Sequence, residues 1–194
     1  MKRLLALVYV VLLVACSDSS QVSLSRGATI IAFGDSLTVS LGAKNTTYPQ
    51  HLAQLTGLEV IASGVSGEQT QGGLARLEAV LEANPADALV LLEGGNDFLR
   101  NQPMSAVKAN LGAMIALAQQ RGLQVILVAV PQKSLFLSDA PIYQELAEQY
   151  RVVLVADTLS ELLADNEFKS DQIHLNDQGY IRLAEAIAQK IVVR

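Results

Sequence analysis

The sequence predicts an α/β fold of three layers (α/β/α), with a five-stranded parallel sheet of flavodoxin-like order 2-1-3-4-5 between the helices. Three observations support this prediction. From Ala28 onward, short apolar runs alternate with segments of helical period. Those runs are too continuously apolar to have a face in water, which is typical of parallel strands covered on both sides. A chain of 194 residues with 51% hydrophobic content is the size of one domain with a full core.

The five strands are predicted at the apolar runs, each followed by turn-forming or helix-forming residues. In chain order they are Ala28–Phe33, Leu58–Ala62, Ala88–Leu92, Gln124–Val130 and Val152–Val155.

Helices are predicted where apolar residues repeat at spacings of three and four. One such stripe comprises Met104, Val107, Leu111, Met114 and Ala118. Pro103 suits the first turn of this helix and Gly122 its end. The stripe of the last helix comprises Ile181, Ala184, Ile187, Ala188 and Ile191. Asn176 is placed to cap that last helix.

The first residues form a separate segment, in which Lys2 and Arg3 precede an apolar run that ends at Ala15 and is followed by Cys16. Such a pattern is typical of an export signal. As a helix the run would be about 18 Å long, too short for a hydrocarbon core of roughly 30 Å. Leu13-Val14-Ala15-Cys16 resembles a bacterial lipobox, in which the cysteine is lipidated and becomes the first residue of the mature protein.

We therefore expect a lipoprotein signal peptide over residues 1–15, lipidation at Cys16, a flexible anchored spacer over residues 16–26 and one domain over residues 27–194. The protein would then be held at the bacterial cell envelope, on the periplasmic side or at the outer membrane. The alternative is an ordinary secretory signal with an incidental cysteine. Because this is the chain's only cysteine, no internal disulfide can form.

Charge and motif content exclude several classes of partner. The formal net charge is −5 and no cluster of lysine and arginine follows the signal segment, so nucleic-acid binding is not expected. Neither G-x-G-x-x-G nor G-x-x-x-x-G-K-[ST] occurs, so no nucleotide cofactor is expected. We expect a monomer that needs no cofactor and no metal.

Four motifs follow strands of the predicted sheet. They are Ser36 after the first strand, Ser63-Gly64-Val65-Ser66-Gly67 after the second, Gly94-Gly95-Asn96-Asp97 after the third, and Asp171-Gln172-Ile173-His174 after the fifth. In a doubly wound sheet these positions meet at one edge, where ligands bind. Ser36, His174 and Asp171 then supply a nucleophile, a base and a group that orients the base.

The four motifs, in this order, resemble those of the SGNH (GDSL) serine hydrolases. Within that family, Ser63–Thr70, Gly73-Leu74-Ala75-Arg76-Leu77 and Glu93–Asp97 resemble the bacterial acyl-thioesterase, arylesterase and lysophospholipase group. The last motif departs from the group's usual one, because Gln172 and Leu175 replace a glycine and a proline.

The resemblance implies cleavage of a small acyl ester or thioester through an acyl-enzyme on Ser36, with His174 as general base and Asp171 as its orienting acid. It also implies that the backbone amides of Ser36 and Gly64 and the side-chain amide of Asn96 form the oxyanion hole.

Two other functions remain open at this stage. Asp35, Asn96, Asp97 and His174 could face one crevice as ligands of a metal-dependent phosphoesterase, although two histidines make a thin ligand set. A lipid-anchored module could instead bind a ligand or a carbohydrate in the crevice without turnover. Taken one residue at a time, structural roles are also open: Ser36 could be a helix N-cap and Asp171 a turn residue.

Overall fold

The computed structural model describes residues 20–132 and 137–194, so the predicted signal peptide and the lipidation of Cys16 lie outside the described residues. The strands are β1 (Val22–Leu24), β2 (Thr29–Gly34), β3 (Glu59–Gly64), β4 (Ala88–Leu92), β5 (Gln124–Val128), β6 (Val153–Val155) and β7 (Ile191–Val193). The helices are α1 (Ser36–Val39), α2 (Tyr48–Thr56), α3 (Thr70–Ala83), α4 (Gly95–Leu99), α5 (Met104–Gln120), α6 (Ile142–Tyr150), α7 (Thr158–Ala164) and α8 (Asp177–Ala188).

The main sheet has the order β3-β2-β4-β5-β6, and every neighbouring pair is parallel. Counted along the chain, its five strands have the arrangement 2-1-3-4-5, so the predicted fold class is confirmed. The structure differs in having a second sheet, in which β1 pairs with β7.

The central strands are buried on both faces, as their continuous apolar runs predict. Ile30, Ile31 and Phe33 of β2 are fully buried, and so are Leu89–Leu92 of β4. The expectation that no strand has a wet face is wrong for β3. This strand lies at the sheet edge, where Glu59 and Ala62 are exposed, because β2 is its only neighbouring strand.

The second sheet corrects the expected spacer over residues 16–26. Val22 and Leu24 are buried, and β1 pairs in register with β7, so this part of the segment is a strand and not a flexible tether. Ile191, expected on the stripe of the last helix, belongs to β7 instead. Three-residue strands carry too little periodicity for the sequence to reveal them.

The helix boundaries argued from capping agree closely with the structure, except that Pro103, expected in the first turn of α5, is instead its N-cap, and Gly122 directly follows the Arg121 C-cap. Helix α5 begins directly after Pro103, and α8 begins after Asn176, whose side chain accepts a hydrogen bond from the Gly179 N–H at 3.0 Å. The buried face of α8 consists of Gly179, Tyr180, Leu183, Ala184 and Ile187. None of the helices in the described ranges is both long enough and apolar enough to cross a membrane.

Candidate active site

Ser36 lies at the carboxyl edge of the sheet, as the first residue of α1, with one residue between it and the end of β2. The preceding residue, Asp35, is the N-cap, because its Oδ1 accepts the Leu37 N–H at 2.9 Å. The interpretation of Ser36 as an N-cap is therefore wrong. With the cap provided by Asp35, the Ser36 hydroxyl is free to face the crevice, and the residue is only 8% exposed.

The loop between α7 and α8 carries Asp171 and His174 in a tight turn. Asp171 Oδ1 accepts the backbone N–H groups of Ile173 and His174, each at 2.8 Å. The turn is closed by the Ser170 N–H, which donates to the His174 carbonyl at 2.9 Å, and by an antiparallel bridge between Lys169 and Leu175. This loop is thus built around Asp171.

Leu175 anchors the same loop, although the family's usual residue at this position is proline. Its side chain is fully buried, and it packs closely beside Gly179 at the start of α8. Gln172, in place of the usual glycine, lines the crevice. The two departures from the family motif therefore leave the turn around Asp171 intact.

The structure brings Ser36, His174 and Asp171 into one hydrogen-bonded chain. Ser36 Oγ lies 3.1 Å from His174 Nε2, and His174 Nδ1 lies 2.8 Å from Asp171 Oδ2. Partial desolvation raises the pKa of Asp171, but hydrogen bonds from the His174 ring and from the backbone N–H groups of Ile173 and His174 outweigh it, so the net pKa is lowered. Asp171 is thereby held as a carboxylate facing the imidazole.

Gly64 ends β3 beside the first turn of α1. It pairs in register with Gly34, and the next amide, that of Val65, donates to the Gly34 carbonyl at 2.9 Å. A Cβ at Gly64 would lie 2.7 Å from Val39 N and 2.9 Å from Asp35 O. Glycine is therefore required here, because a side chain would push the end of β3 away from α1.

Asn96, in α4, extends its side chain to Asp35, the residue before Ser36. Its Nδ2 donates to Asp35 Oδ2 at 3.1 Å. The turn before it requires Gly94, which has a φ of 115° and lies so close to the Tyr143 hydroxyl that a Cβ would clash. Desolvation by burial raises the pKa of Asp35 to about 6.

A cavity of about 180 Å³ opens beside these groups. Its walls combine the polar residues of the site with apolar side chains from five parts of the chain. The apolar side chains are Leu37, Phe98, Leu99, Val130, Pro131, Leu137, Leu163 and Ile173. Such a lining suits the hydrocarbon part of a small substrate.

The sequence did not reveal what Asp35 and Asp97 do. Both carboxylate oxygens of Asp97 bind Thr70, one at its N–H (2.9 Å) and one at its hydroxyl (2.7 Å), so Asp97 ties the start of α3 to α4. Asp35 binds Leu37 and Asn96 in the same way. Their spacing in the sequence gives no signal of these partners. Within residues 20–132 and 137–194, no three His, Cys, Asp or Glu side chains are grouped so that they could hold a metal ion.

Comparisons with known proteins agree with this architecture. A family model for GDSL-like lipases and acylhydrolases matches residues 32–182. The arylesterase of Vibrio mimicus is 30% identical over 198 residues, which cover 99% of this chain and 98% of that protein. The thioesterase 1/protease 1/lysophospholipase L1 of Escherichia coli K12 is 26% identical over 172 residues, covering 84% of this chain and 83% of that protein.

Solved structures show the same similarity. The crystal structure of TesA has a TM-score of 0.76 and 25% identity, with 84% of this chain and 97% of that chain covered. AlinE4, an SGNH-hydrolase family esterase, has a TM-score of 0.67 and 29% identity, with 84% of this chain and 94% of that chain covered.

Proposed function

This chain belongs to the GDSL-like lipase/acylhydrolase family and is a carboxylic ester hydrolase, and from that premise we propose that it acts through an acyl-enzyme on Ser36. The observation that carries the proposal is the hydrogen-bonded chain from Ser36 Oγ through His174 to Asp171. Nucleophile, base and orienting acid follow one another at hydrogen-bond distances, which is what acyl transfer requires.

In the first step Ser36 Oγ attacks the acyl carbonyl carbon, and its proton passes to His174 Nε2. Asp171 stabilises the imidazolium that forms and holds the tautomer with Nδ1 protonated. His174 then gives the proton to the leaving alcohol or thiol as the bond from carbonyl carbon to leaving group breaks. A water molecule, deprotonated by His174, hydrolyses the acyl-enzyme and restores the Ser36 hydroxyl.

The oxyanion formed by this attack needs hydrogen-bond donors, and we assign that role to the Ser36 and Gly64 backbone amides and the Asn96 side chain. Asn96 has two N–H bonds on Nδ2, of which one is directed at Asp35. The other is available for the oxyanion. Loss of one such donor typically costs roughly 3–4 kcal/mol of transition-state stabilisation.

The crevice favours a small acyl or aryl substrate. Its volume, about 180 Å³, lies below the ~300–1,000 Å³ of sites for drug-sized ligands. An arylesterase among the relatives fits this preference, and the relative named as a thioesterase and lysophospholipase extends the proposal to thioesters of short acyl chains. A lysophospholipid also presents an acyl carbonyl, but its long acyl chain is larger than this crevice, so we expect it to be a poorer substrate. A binding module without turnover is the competing function, but it has no need of an aligned Ser36 and His174.

A fluorophosphonate probe tests the mechanism, because it phosphonylates a serine only where a neighbouring base activates the hydroxyl. We expect labelling of the parent protein at Ser36, no labelling of Ser36→Ala, and loss of p-nitrophenyl acetate hydrolysis in Ser36→Ala and His174→Ala. Ser66→Ala is the matched control, because Ser66 also follows a strand but does not contact His174. Labelling at another residue, or turnover by Ser36→Ala, would contradict the proposal.

A panel of p-nitrophenyl esters from acetate to palmitate, together with acyl thioesters and a lysophospholipid, tests the substrate class. We expect kcat/KM to be highest for short acyl chains. A preference for palmitate would contradict the proposed short-chain specificity without affecting the mechanism.

We further propose that the protein is exported and anchored at the bacterial cell envelope by a lipid on Cys16. The support is the basic and apolar start of the chain and the lipobox-like Leu13-Val14-Ala15-Cys16. Strand β1 follows shortly afterwards and contacts Gln124 at the amino-terminal end of β5. Ser36 lies at the other end of the parallel strands, where their carboxyl ends meet. An anchor on Cys16 would thus attach at the end of the domain remote from the crevice.

A further inference from the structure

One motif of the sequence, Gly73-Leu74-Ala75-Arg76-Leu77, has no part in the mechanism described above. It lies on α3, and Arg76 is its only charged residue. The Arg76 side chain is only 22% exposed, and its guanidinium reaches the carboxyl ends of two strands of the sheet. Nη2 donates to the Gly34 carbonyl at 3.1 Å and to the Ser63 carbonyl at 3.0 Å, and Nη1 donates to the Ser63 hydroxyl at 2.8 Å.

We propose that Arg76 is a positioning residue that aims the Gly64 N–H at the oxyanion by holding the Ser63 carbonyl oxygen. This inference rests on the proposed function, because it assigns a cause to the orientation of one of the three oxyanion donors.

The link between the two groups is the peptide plane they share. The Ser63 carbonyl and the Gly64 N–H belong to one peptide unit, and the described residues contain no cis peptide bonds. In a trans peptide the C=O and N–H bonds point in opposite directions and cannot turn independently. A donor that fixes the Ser63 oxygen on the α3 side therefore fixes the direction of the Gly64 N–H.

The same guanidinium group also contacts the backbone close to the nucleophile. Gly34, whose carbonyl Arg76 also binds, ends β2 and lies two residues before Ser36. Nη2 binds both carbonyls, and the Val65 N–H also donates to the Gly34 carbonyl, so the ends of β2 and β3 are joined by a backbone bond and by this side chain. The distance between the nucleophile and the Gly64 amide thus depends in part on Arg76.

Glu68 holds Arg76 in this position. It accepts from Arg76 Nε at 2.9 and 2.8 Å and lies 2.6 Å from Nη2, and its side chain is only 8% exposed. Glu68 directly follows the segment Gly64–Gly67, whereas Ser63 directly precedes it. The Arg76 guanidinium group therefore binds the residue before this segment and the residue after it.

Arginine suits this position better than lysine. Its planar group also lies over the Phe33 ring, with 3.8 Å between Cζ and the ring centroid. A lysine ammonium is a single donor centre and cannot reach both carbonyls, the hydroxyl and Glu68 while stacking on a ring. Replacement by lysine should keep the charge beside Glu68 but release the Ser63–Gly64 peptide.

The test compares Arg76→Lys and Arg76→Gln with the parent protein, using p-nitrophenyl acetate and a fluorophosphonate. The phosphonate counts the reactive Ser36 groups, so that kcat can be given per reactive site. We expect kcat per reactive site to fall by roughly 10- to 100-fold in both variants, with KM changed by less than about twofold, because the Gly64 N–H serves the transition state. Guanidinium ion added to Arg76→Ala should restore part of the lost kcat.

A matched control accompanies these variants. Arg121→Gln removes another arginine with two carboxylate partners, Glu78 and Glu82, at a surface remote from the crevice. It should keep the parent's kcat per reactive site.

The inference is overturned if Arg76→Lys keeps the parent's kcat per reactive site, or if the variants lose only thermal stability and the fraction of reactive Ser36. Should Arg76→Gln fail to fold, Arg76→Lys and the guanidinium rescue of Arg76→Ala decide the question, and absence of both effects counts against it. A parent protein that the phosphonate does not label would instead show that the proposed function itself is wrong.

Discussion

The Asn96 side-chain amide donates a hydrogen bond to the Asp35 carboxylate across 3.1 Å, so the residue before Ser36 holds a group at the end of a different strand. The other carboxylate oxygen of Asp35 caps α1 through the Leu37 N–H. One buried carboxylate thus joins the turn that carries the proposed nucleophile to a proposed oxyanion donor. Burial at this position disfavours the charged form of Asp35 and raises its pKa to about 6.

Asp35→Asn is therefore expected to lower kcat with little change in KM. Leu37 and Asn96 bind different oxygens of the carboxylate, and an asparagine has an NH₂ group in place of one of them, so a donor would face a donor at one of the two contacts. We expect kcat to fall by roughly 10- to 100-fold, and Asn96→Ala to lower it at least as much.

Steady-state kinetics on p-nitrophenyl acetate measure this effect. The matched control is Asp87→Asn, because the Asp87 carboxylate also accepts a backbone N–H, that of Thr29, but at the opposite edge of the sheet. A kcat for Asp35→Asn equal to that of the control, or a change confined to KM, would show that Asp35 does not position Asn96.

Asp171→Asn is expected to lower kcat by about 10³- to 10⁴-fold. The asparagine oxygen can keep both turn N–H groups, but its NH₂ would then face His174 Nδ1. This contact favours the tautomer with Nε2 protonated, which cannot accept the Ser36 proton. Within the described residues, Asp171 is the carboxylate at Nδ1, so no neighbouring acid replaces it.

Single-turnover acylation rates measure this loss directly. Asp165→Asn serves as the control, because Asp165 forms a similar turn with the Glu167 N–H without contacting an imidazole. If Asp171→Asn acylates as fast as Asp165→Asn, Asp171 is only a turn residue.

Glu93 is expected to make the fold less stable as pH rises. Its side chain is fully buried, and neither carboxyl oxygen has a hydrogen-bond partner among the described residues. Desolvation by burial, with the nearby charges of Asp35 and Glu68, raises the pKa of Glu93 from 4.5 to about 10. The folded state therefore keeps a proton that the unfolded chain releases above pH 4.5. This contribution to stability is complete below that pH and is lost progressively as pH rises towards 10.

Glu93→Gln is neutral at every pH and should remove this dependence. Relative to the parent, the free energy of unfolding of the variant should increase with pH by up to about 1.4 kcal/mol per pH unit. Urea unfolding at about pH 5 and about pH 8 measures the difference. Glu185→Gln, on an exposed side chain, is the control. Parallel pH dependence in the parent and in Glu93→Gln would rule out a protonated Glu93.

Cys16→Ser is expected to abolish lipid attachment while leaving the catalytic domain active once purified. The thiol is the group that would carry the lipid, and Cys16 precedes β1, the first described element of the domain. Metabolic labelling of the bacterial host with a clickable palmitate analogue measures attachment. Ser17→Ala is the neighbouring control and should label like the parent. A parent that takes up no label, or a Cys16→Ser variant that labels equally, would contradict the lipobox interpretation.

The sequence by itself determined the five-stranded sheet and the edge at which the motifs meet. Continuous apolar runs such as Leu89–Leu92 show burial on both faces, and the carboxyl ends of parallel strands lie at one edge. The order of strands and motifs therefore predicted that Ser36, Gly64, Asn96, Asp171 and His174 lie near one another. These features depend on local pattern and on topological rules that hold for any chain of this class.

Tertiary structure alone decided the contacts between side chains from different elements. The Asp35–Asn96 bond joins positions 61 residues apart, and the Arg76–Gly34 bond joins positions 42 residues apart. The pairing of β1 with β7 brings together the two ends of the domain. The exposed side chains of β3 follow from its place at the sheet edge. Such contacts depend on which surfaces the packed elements bring within about 3 Å of one another, and a one-dimensional pattern of apolar and polar residues carries no information on that distance.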